Sequence, residues 1–241
     1  MPKGQTVKNK LAASKEFYDT SYHQSSMPPR IISKHYKNLA RRLAVYPGEK
    51  VLDVACGTGE WLLAAHQRGA IINGIDLSNK AIEACREGMP DGQFVVGEAE
   101  DLPFPDQTFD LITCLGALEH FIDAETALAE MFRVGKPNAR YVILVPNADF
   151  LTRRLFFFQG TNQAMIKEDV LSLVAWSEMF EKSGMEVKEC WADLHVLSKA
   201  WIMRGSWHHS LIRLTQALLL LVWPLRWQYQ VFFLCNKKIH L

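Results

Sequence analysis

The sequence predicts an α/β fold: a mainly parallel sheet with helices on both faces. Three observations carry that expectation. Apolar runs of strand length alternate with amphipathic runs of helix length from Val51 to Pro146, the order that builds a parallel sheet with its ligands at the carboxyl edge of the strands. The first run closes on two nearby glycines, Gly57 and Gly59, with an apolar helix start at Trp61 just behind them. The first two runs each carry one carboxylate, Asp53 inside the first and Asp76 at the end of the second.

Taken in order, residues 1–10 read as polar and disordered, and 15–23 as an aromatic-rich segment stopped at Met27-Pro28-Pro29. Ser33 supplies an N-cap hydroxyl for a helix reaching about Tyr46, where Pro47-Gly48 ends it. The pattern then predicts strand 51–55, helix 58–68, strand 70–75, helix 78–88 and strand 93–96. Strand 109–114, helix 122–134 and strand 140–146 follow. After Pro146 the periodicity lapses into Phe150, Leu151, Leu155, Phe156, Phe157 and Phe158, interrupted by Arg153 and Arg154. Residues 170–183 read as an amphipathic helix ended by Gly184, and 185–191 as a sixth strand. A seventh strand is expected around 196–203.

The turn between the first strand and helix presents backbone N–H groups with no side-chain bulk above them. A carboxylate at the tip of the second strand is where ribose hydroxyls are held. The turn is therefore expected to bind a nucleoside. A dinucleotide fingerprint needs a third glycine, and that position is Leu62. The architecture is thus Rossmann-like without the dinucleotide signature.

At this point Val51 to Gly59 resembles the first motif of the class I S-adenosylmethionine-dependent methyltransferases, of the small-molecule kind similar to the quinone-biosynthesis enzymes. Ala55 stands where that motif has its first glycine. Gly97 to Phe104 resembles the second cofactor segment, and Phe109–Cys114 and Arg133–Pro137 resemble later strand and turn motifs. The resemblance implies S-adenosyl-L-methionine as cofactor and no metal. It implies that Asp53 and the backbone of Ala55, Gly57, Thr58 and Gly59 hold the methionine end, and that Asp76 takes the ribose hydroxyls. Leu77 would pack on the adenine, Glu98 would accept from its amine, and the Ala99 N–H would reach its ring. Leu115 and Gly116 would line the cofactor. It also implies a lid in the N-terminal segment 1–46, a cofactor domain over 47–203 and a substrate-lid insertion at 147–168. A capping helix on the core is the other reading of that insertion. His120, just after strand four, is the first candidate for a general base, with His195, Tyr22 and His23 behind it; packing is the alternative for each.

The net charge of +1 conceals a segregation. Residues 1–50 carry ten Lys/Arg against three Asp/Glu, 199–241 carry six against none, and 51–198 carry eleven against twenty-three. Basic ends point to a polyanion, either nucleic acid or an anionic membrane face. Residues 204–241 read as a basic, apolar helical extension. Its nine-residue run Ala217–Leu225 is too short to span a bilayer and is mixed with Trp, Tyr and Arg, as in an interfacial helix. Packing on the domain is the alternative. Five scattered cysteines without a Cys-x-x-Cys pair suit reduced thiols of a cytoplasmic protein. No apolar signal core opens the chain.

The expected function is methyl transfer to a small-molecule or lipid-linked acceptor, in the cytoplasm and peripheral to the inner membrane face. Two other classes stand beside it: an RNA methyltransferase whose basic ends hold phosphates, and a non-catalytic cofactor-binding regulator. The leucine-rich tail and the lack of any RNA-binding module argue against nucleic acid.

Overall fold

A computed structural model describes residues 11–23, 28, 31–151, 169–195 and 207–238. Among these described residues seven strands form one sheet: β1 (Lys50–Val54), β2 (Ile71–Asp76), β3 (Gln93–Val96), β4 (Phe109–Leu115), β5 (Gly135–Pro146), β6 (Met185–Ala192) and β7 (Gln230–Lys237). Their spatial order is β3-β2-β1-β4-β5-β7-β6, and only β7 runs against the others. The connecting helices are α1 (Lys34–Arg42), α2 (Glu60–His66), α3 (Asn79–Gly88), α4 (Ala124–Val134), α5 (Leu173–Lys182) and α6 (Trp207–Val222). A short π-helical turn, Tyr18–Tyr22, precedes them.

Side-chain oxygens start the helices where short polar residues stand. Ser33 accepts from Tyr36 N, Ser78 from Ala81 N, Asp123 from Thr126 N and Ser172 from Ala175 N. Each satisfies one of the first-turn donors that a helix leaves open. Strand alternation then divides the core in two. Leu52, Val54, Ile112 and Ile143 face one layer with Leu128, Met131, Trp176 and Phe180. Val51, Leu111 and Val142 face the other with Leu39, Trp61, Leu62 and Ile82.

The C-terminal end of the chain corrects the sequence reading in one respect. The apolar helix exists as α6, but it is not terminal. After it the chain re-enters the sheet as β7, hydrogen-bonded between β5 and β6, with Val231, Phe232, Phe233 and Cys235 buried. A strand buried on both faces reads as a continuous apolar run, and periodicity cannot separate such a run from a short buried helix. The seventh strand expected at 196–203, like the segment 152–168 of the expected lid, lies outside the described residues. Gln228 is buried; its Nε2 donates to the carbonyls of Leu220 (2.7 Å) and Trp223 (3.0 Å) and closes the end of α6. The expected turn at 133–137 is instead the start of β5, which pairs Phe109 with Gly135 and resumes after a register shift at Leu111 and Arg140.

Register places α6 relative to the site. β6 ends at Ala192 opposite Val231, and β7 begins at Gln230 opposite Pro146, the last residue of β5. The excursion from β6 to β7 therefore leaves and returns at the carboxyl edge of the parallel strands, the edge where α/β sheets bind ligands. Among the described residues no helix is long and apolar enough to cross a membrane.

Candidate active site

A cavity of about 380 Å³ opens at that edge, above β1, β2 and β4. The chain leaves β1 through Ala55, Cys56, Gly57, Thr58 and Gly59 and enters α2. Three of these five residues have positive φ: Ala55 at 59°, Gly57 at 53° and Gly59 at 79°. At Gly59 the φ of 79° favours glycine, and a Cβ would also press on Met89 Cε at 2.5 Å and Cys85 Sγ at 3.0 Å. Ala55 adopts the left-handed region with a side chain, a conformation that costs an L-residue on the order of 1 kcal/mol.

Asp76 closes β2 beside this loop. Its Oδ2 accepts from Gly57 N at 2.8 Å and its Oδ1 from Ser78 N at 2.9 Å. Those two backbone bonds aim the carboxylate across the turn and leave lone pairs for hydroxyl donors. Burial raises its pKa against the opposing pull of the two N–H groups and of His23. Asp53 lies deeper, 3% exposed. Thr113 Oγ1 stands 2.5 Å from its Oδ1, and Trp61 Nε1 donates to Thr113 Oγ1 at 2.9 Å. Burial carries the Asp53 carboxyl to about 7, with Thr113 pulling it down and Asp76 pushing it up. Glu98 is exposed on the rim beyond β3, and its pKa is raised by burial and by Glu100 and Asp101.

The cavity wall brings together Asp53, Ala55, Gly57, Thr58, Gly59, Asp76, Leu77, Glu98, Ala99, Leu115, Gly116 and His120. His120 closes a short 3-10 turn after β4, with Nε2 4.0 Å from Glu119 Oε1. Two further candidates lie apart from this group. His195 follows β6, its ring 4.9 Å from that of His35, and does not line the cavity. Tyr22 ends the π-helical turn, and its side chain lies outside the described residues.

The N-terminal segment supplies a cover. Tyr18 and His23 line the cavity, and Asp19 docks the segment onto the start of α3, accepting from Ser78 Oγ at 2.6 Å and Asn79 Nδ2 at 3.2 Å. His23 is buried over Gly57. Burial lowers its pKa and outweighs the attraction of Asp76 and Asp19. Tyr36 and Trp61 complete the wall. Sequence reasoning did not single out Trp61 or Thr113 for the site. A usable signal was present: a hydroxyl inside the apolar run Leu111-Ile112-Thr113-Cys114 has to find a partner once buried. The hydrogen bond with Cys85 and burial push the Cys56 thiol well above the ordinary range, which makes it a poor nucleophile, and Cys85 Sγ sits 3.2 Å from Gly57 O.

The residues present fit an S-adenosylmethionine molecule on geometry alone. The cavity offers a glycine loop of free approach, a buried carboxylate for an ammonium, a second carboxylate aimed at hydroxyls and a third on the rim for a base.

Comparison with known proteins agrees. Residues 52–143 match the family described as "Methyltransferase domain". The demethylmenaquinone methyltransferase of Thermotoga maritima is 40% identical over 115 residues, 46% of this chain and 50% of that protein. The ubiquinone/menaquinone biosynthesis C-methyltransferase of Geotalea daltonii is 33% identical over 158 residues, 60% of this chain and 66% of that protein. The alignment thus spans about half the length of the first of these relatives and just under two thirds of the second. The fold is shared with the 1,6-didemethyltoxoflavin-N1-methyltransferase of Burkholderia thailandensis (TM-score 0.65, 15% identity, 97% of this chain and 91% of that one). It is shared equally with the putative methyltransferase bound to the Haloferax volcanii Trm112 activator (TM-score 0.66, 20% identity, 95% and 98%). Residues 52–143 therefore match a methyltransferase domain, and the chain is similar to the quinone-biosynthesis methyltransferases among the S-adenosylmethionine-dependent enzymes.

Proposed function

We propose that the protein transfers a methyl group from S-adenosylmethionine to a small aromatic acceptor of the quinone-precursor type, one that carries an apolar tail and resides at a membrane surface. The observation that carries the transfer is the convergence of Asp53, Asp76 and Glu98 from three neighbouring strand ends around one glycine loop. The acceptor class rests on the demethylmenaquinone and ubiquinone/menaquinone methyltransferases among the relatives.

Bound there, the cofactor supplies an electrophilic sulfonium methyl, so the protein's work is positioning and exclusion of water. In this reading Asp53 holds the cationic amino-acid end from below, Asp76 fixes the ribose, and Glu98 with the Ala99 N–H reads the adenine edge. Tyr18, His23 and Tyr36 shut the cavity from solvent. His120 receives the proton that the acceptor loses, and Glu119, 5% exposed and adjacent, steadies the resulting imidazolium.

The membrane part rests on α6. Its buried face holds Ala217 and Leu220, while Leu214 (44%), Leu218 (58%), Leu221 (57%) and Val222 (76%) face outward between Arg213 and the exposed Arg226. Leucines at that spacing flanked by cations suit the headgroup boundary of an anionic bilayer. Because the β6-to-β7 excursion sits at the active edge, such docking would put the cavity beside the lipid phase.

The test is transfer of a labelled methyl group from S-adenosylmethionine into a bacterial membrane extract and, separately, into total RNA. Label recovered in a quinone-type lipid supports the reading; label in RNA alone, or in neither fraction, contradicts it.

A further inference from the structure

Behind Asp53, near the carboxyl end of β1, stand two buried donors that the catalytic reading does not use. Trp61 Nε1 donates to Thr113 Oγ1 at 2.9 Å, and Thr113 Oγ1 lies 2.5 Å from Asp53 Oδ1. Among the described residues the other acceptor near this hydroxyl is the Leu52 carbonyl, at a longer 3.4 Å. A hydroxyl has one proton. With the indole N–H occupying an oxygen lone pair, that proton is directed to the carboxylate, the nearer and more basic acceptor. Three different elements, α2, β4 and β1, contribute one residue each, and Trp61 (2%), Thr113 (0%) and Asp53 (3%) are all buried. Such a relay is costly to assemble inside a core unless every member is satisfied.

We propose that Thr113, oriented by the indole of Trp61, is a positioning residue that aims the Asp53 carboxylate at the positively charged amino-acid end of the cofactor and keeps it ionised to meet that charge. The inference rests on the cofactor assignment made above and deepens it. It names two residues, Thr113 inside β4 and Trp61 in the first turn of α2, that set the affinity of the site from behind Asp53.

Ionisation enters through what faces Asp53. Asp76 on β2 and the thiols of Cys56 and Cys114 interact with it, the two thiols remain neutral, and Asp76 opposes its charge. Thr113 is the side chain whose hydrogen bond favours the ionised form. Removing that bond therefore moves the protonation of Asp53 to higher pH. Cofactor affinity should then begin to fall, on acidification, at a higher pH than in the parent.

The experiment measures the affinity of S-adenosylhomocysteine by calorimetry from pH 5.5 to 8.5 for the full chain and for Thr113→Val, Thr113→Ser and Trp61→Phe, with thermal unfolding of each. Valine matches the shape of threonine without the hydroxyl. We expect about tenfold weaker binding for Thr113→Val at pH 7, the loss of one hydrogen bond to a charged group. Its affinity should fall off at higher pH than in the parent, while Thr113→Ser restores both values. Trp61→Phe should follow Thr113→Val in direction with a smaller effect. A Thr113→Val protein whose affinity falls off at the parent's pH, whatever its melting temperature, would overturn the relay. A parent that binds no S-adenosylhomocysteine would instead overturn the cofactor assignment beneath it.

Discussion

The two halves of the sheet use polar groups in opposite ways. On the β1–β2–β4 side, carboxylates are buried at strand ends and held ready: Asp76 by two backbone N–H groups, Asp53 by one hydroxyl. On the β5–β7–β6 side the buried polar groups close the structure on itself. Asn147 Nδ2 donates to the carbonyls of Arg226 (2.9 Å) and Gln228 (3.1 Å), and Gln228 caps the end of α6. One half stores electrostatic potential for a ligand and loses stability by doing so. The other spends its polar groups on pinning a returning strand. The lesson is that a polar residue in an apolar run marks a site only when its partners leave something over.

This contrast can be broken most severely by truncation. Deleting residues 206–241 removes β7, which pairs with β5 and β6 and buries Val231, Phe232, Phe233 and Cys235. A single Phe removed from such a core costs about 3–5 kcal/mol, so loss of the whole strand should leave no cooperative unfolding transition. A truncated protein that melts within a few degrees of the parent would show that the second half is dispensable.

The next effect should have the opposite sign. Asp53 titrates near 7 in the folded protein against about 3.9 in an unfolded chain. A raised folded-state value means that the native state holds the proton more tightly between these limits. Stability of the ligand-free protein should therefore fall as pH rises from about 4 to 7 and stay low above, by an amount on the order of 4 kcal/mol. Asp53→Asn keeps an acceptor for Thr113 and discards the charge. It should raise the melting temperature at pH 8 by several degrees while weakening cofactor binding at least tenfold, a trade of stability for function. Thermal scans at pH 4.5 and 8 check this, and a variant less stable than the parent at pH 8 would refute it.

The smallest effect on stability is expected on α6. Leu218→Ser with Leu221→Ser alters exposed side chains (58% and 57%) and should move stability by less than about 1 kcal/mol. Flotation with anionic vesicles should nonetheless fall clearly, because the outward leucines are what would enter the headgroup layer. Unchanged flotation in the double variant would remove α6 from the membrane argument.

Legibility in the sequence followed the same division. The glycine loop, Asp53 and Asp76 could be read because each combines a local motif with a strand end, and local pattern is what a sequence displays. β7 could not, because Val231 to Cys235 is apolar on both faces and its neighbours in the sheet lie some 45 and 90 residues away. The burial of Gln228 could not be read either, because its partners, the carbonyls of Leu220 and Trp223, are backbone atoms invisible to side-chain pattern. His195 stood behind His120 as a candidate base, but the fold sets its ring beside that of His35 rather than in the cavity. Thr113 was passed over although a lone hydroxyl in a buried strand is itself a request for a partner.

The central claim, that this cavity is an S-adenosylmethionine site organised by its strand-end carboxylates, is tested most directly at Asp76. Calorimetric titration of S-adenosylmethionine into the parent and into Asp76→Ala at pH 7.5 should show saturable one-to-one binding in the parent. In the variant the ribose hydroxyls lose their acceptor, and affinity should drop by about 1–3 kcal/mol, roughly fivefold to 150-fold. Equal affinity in the two proteins, with both folded, would contradict the account.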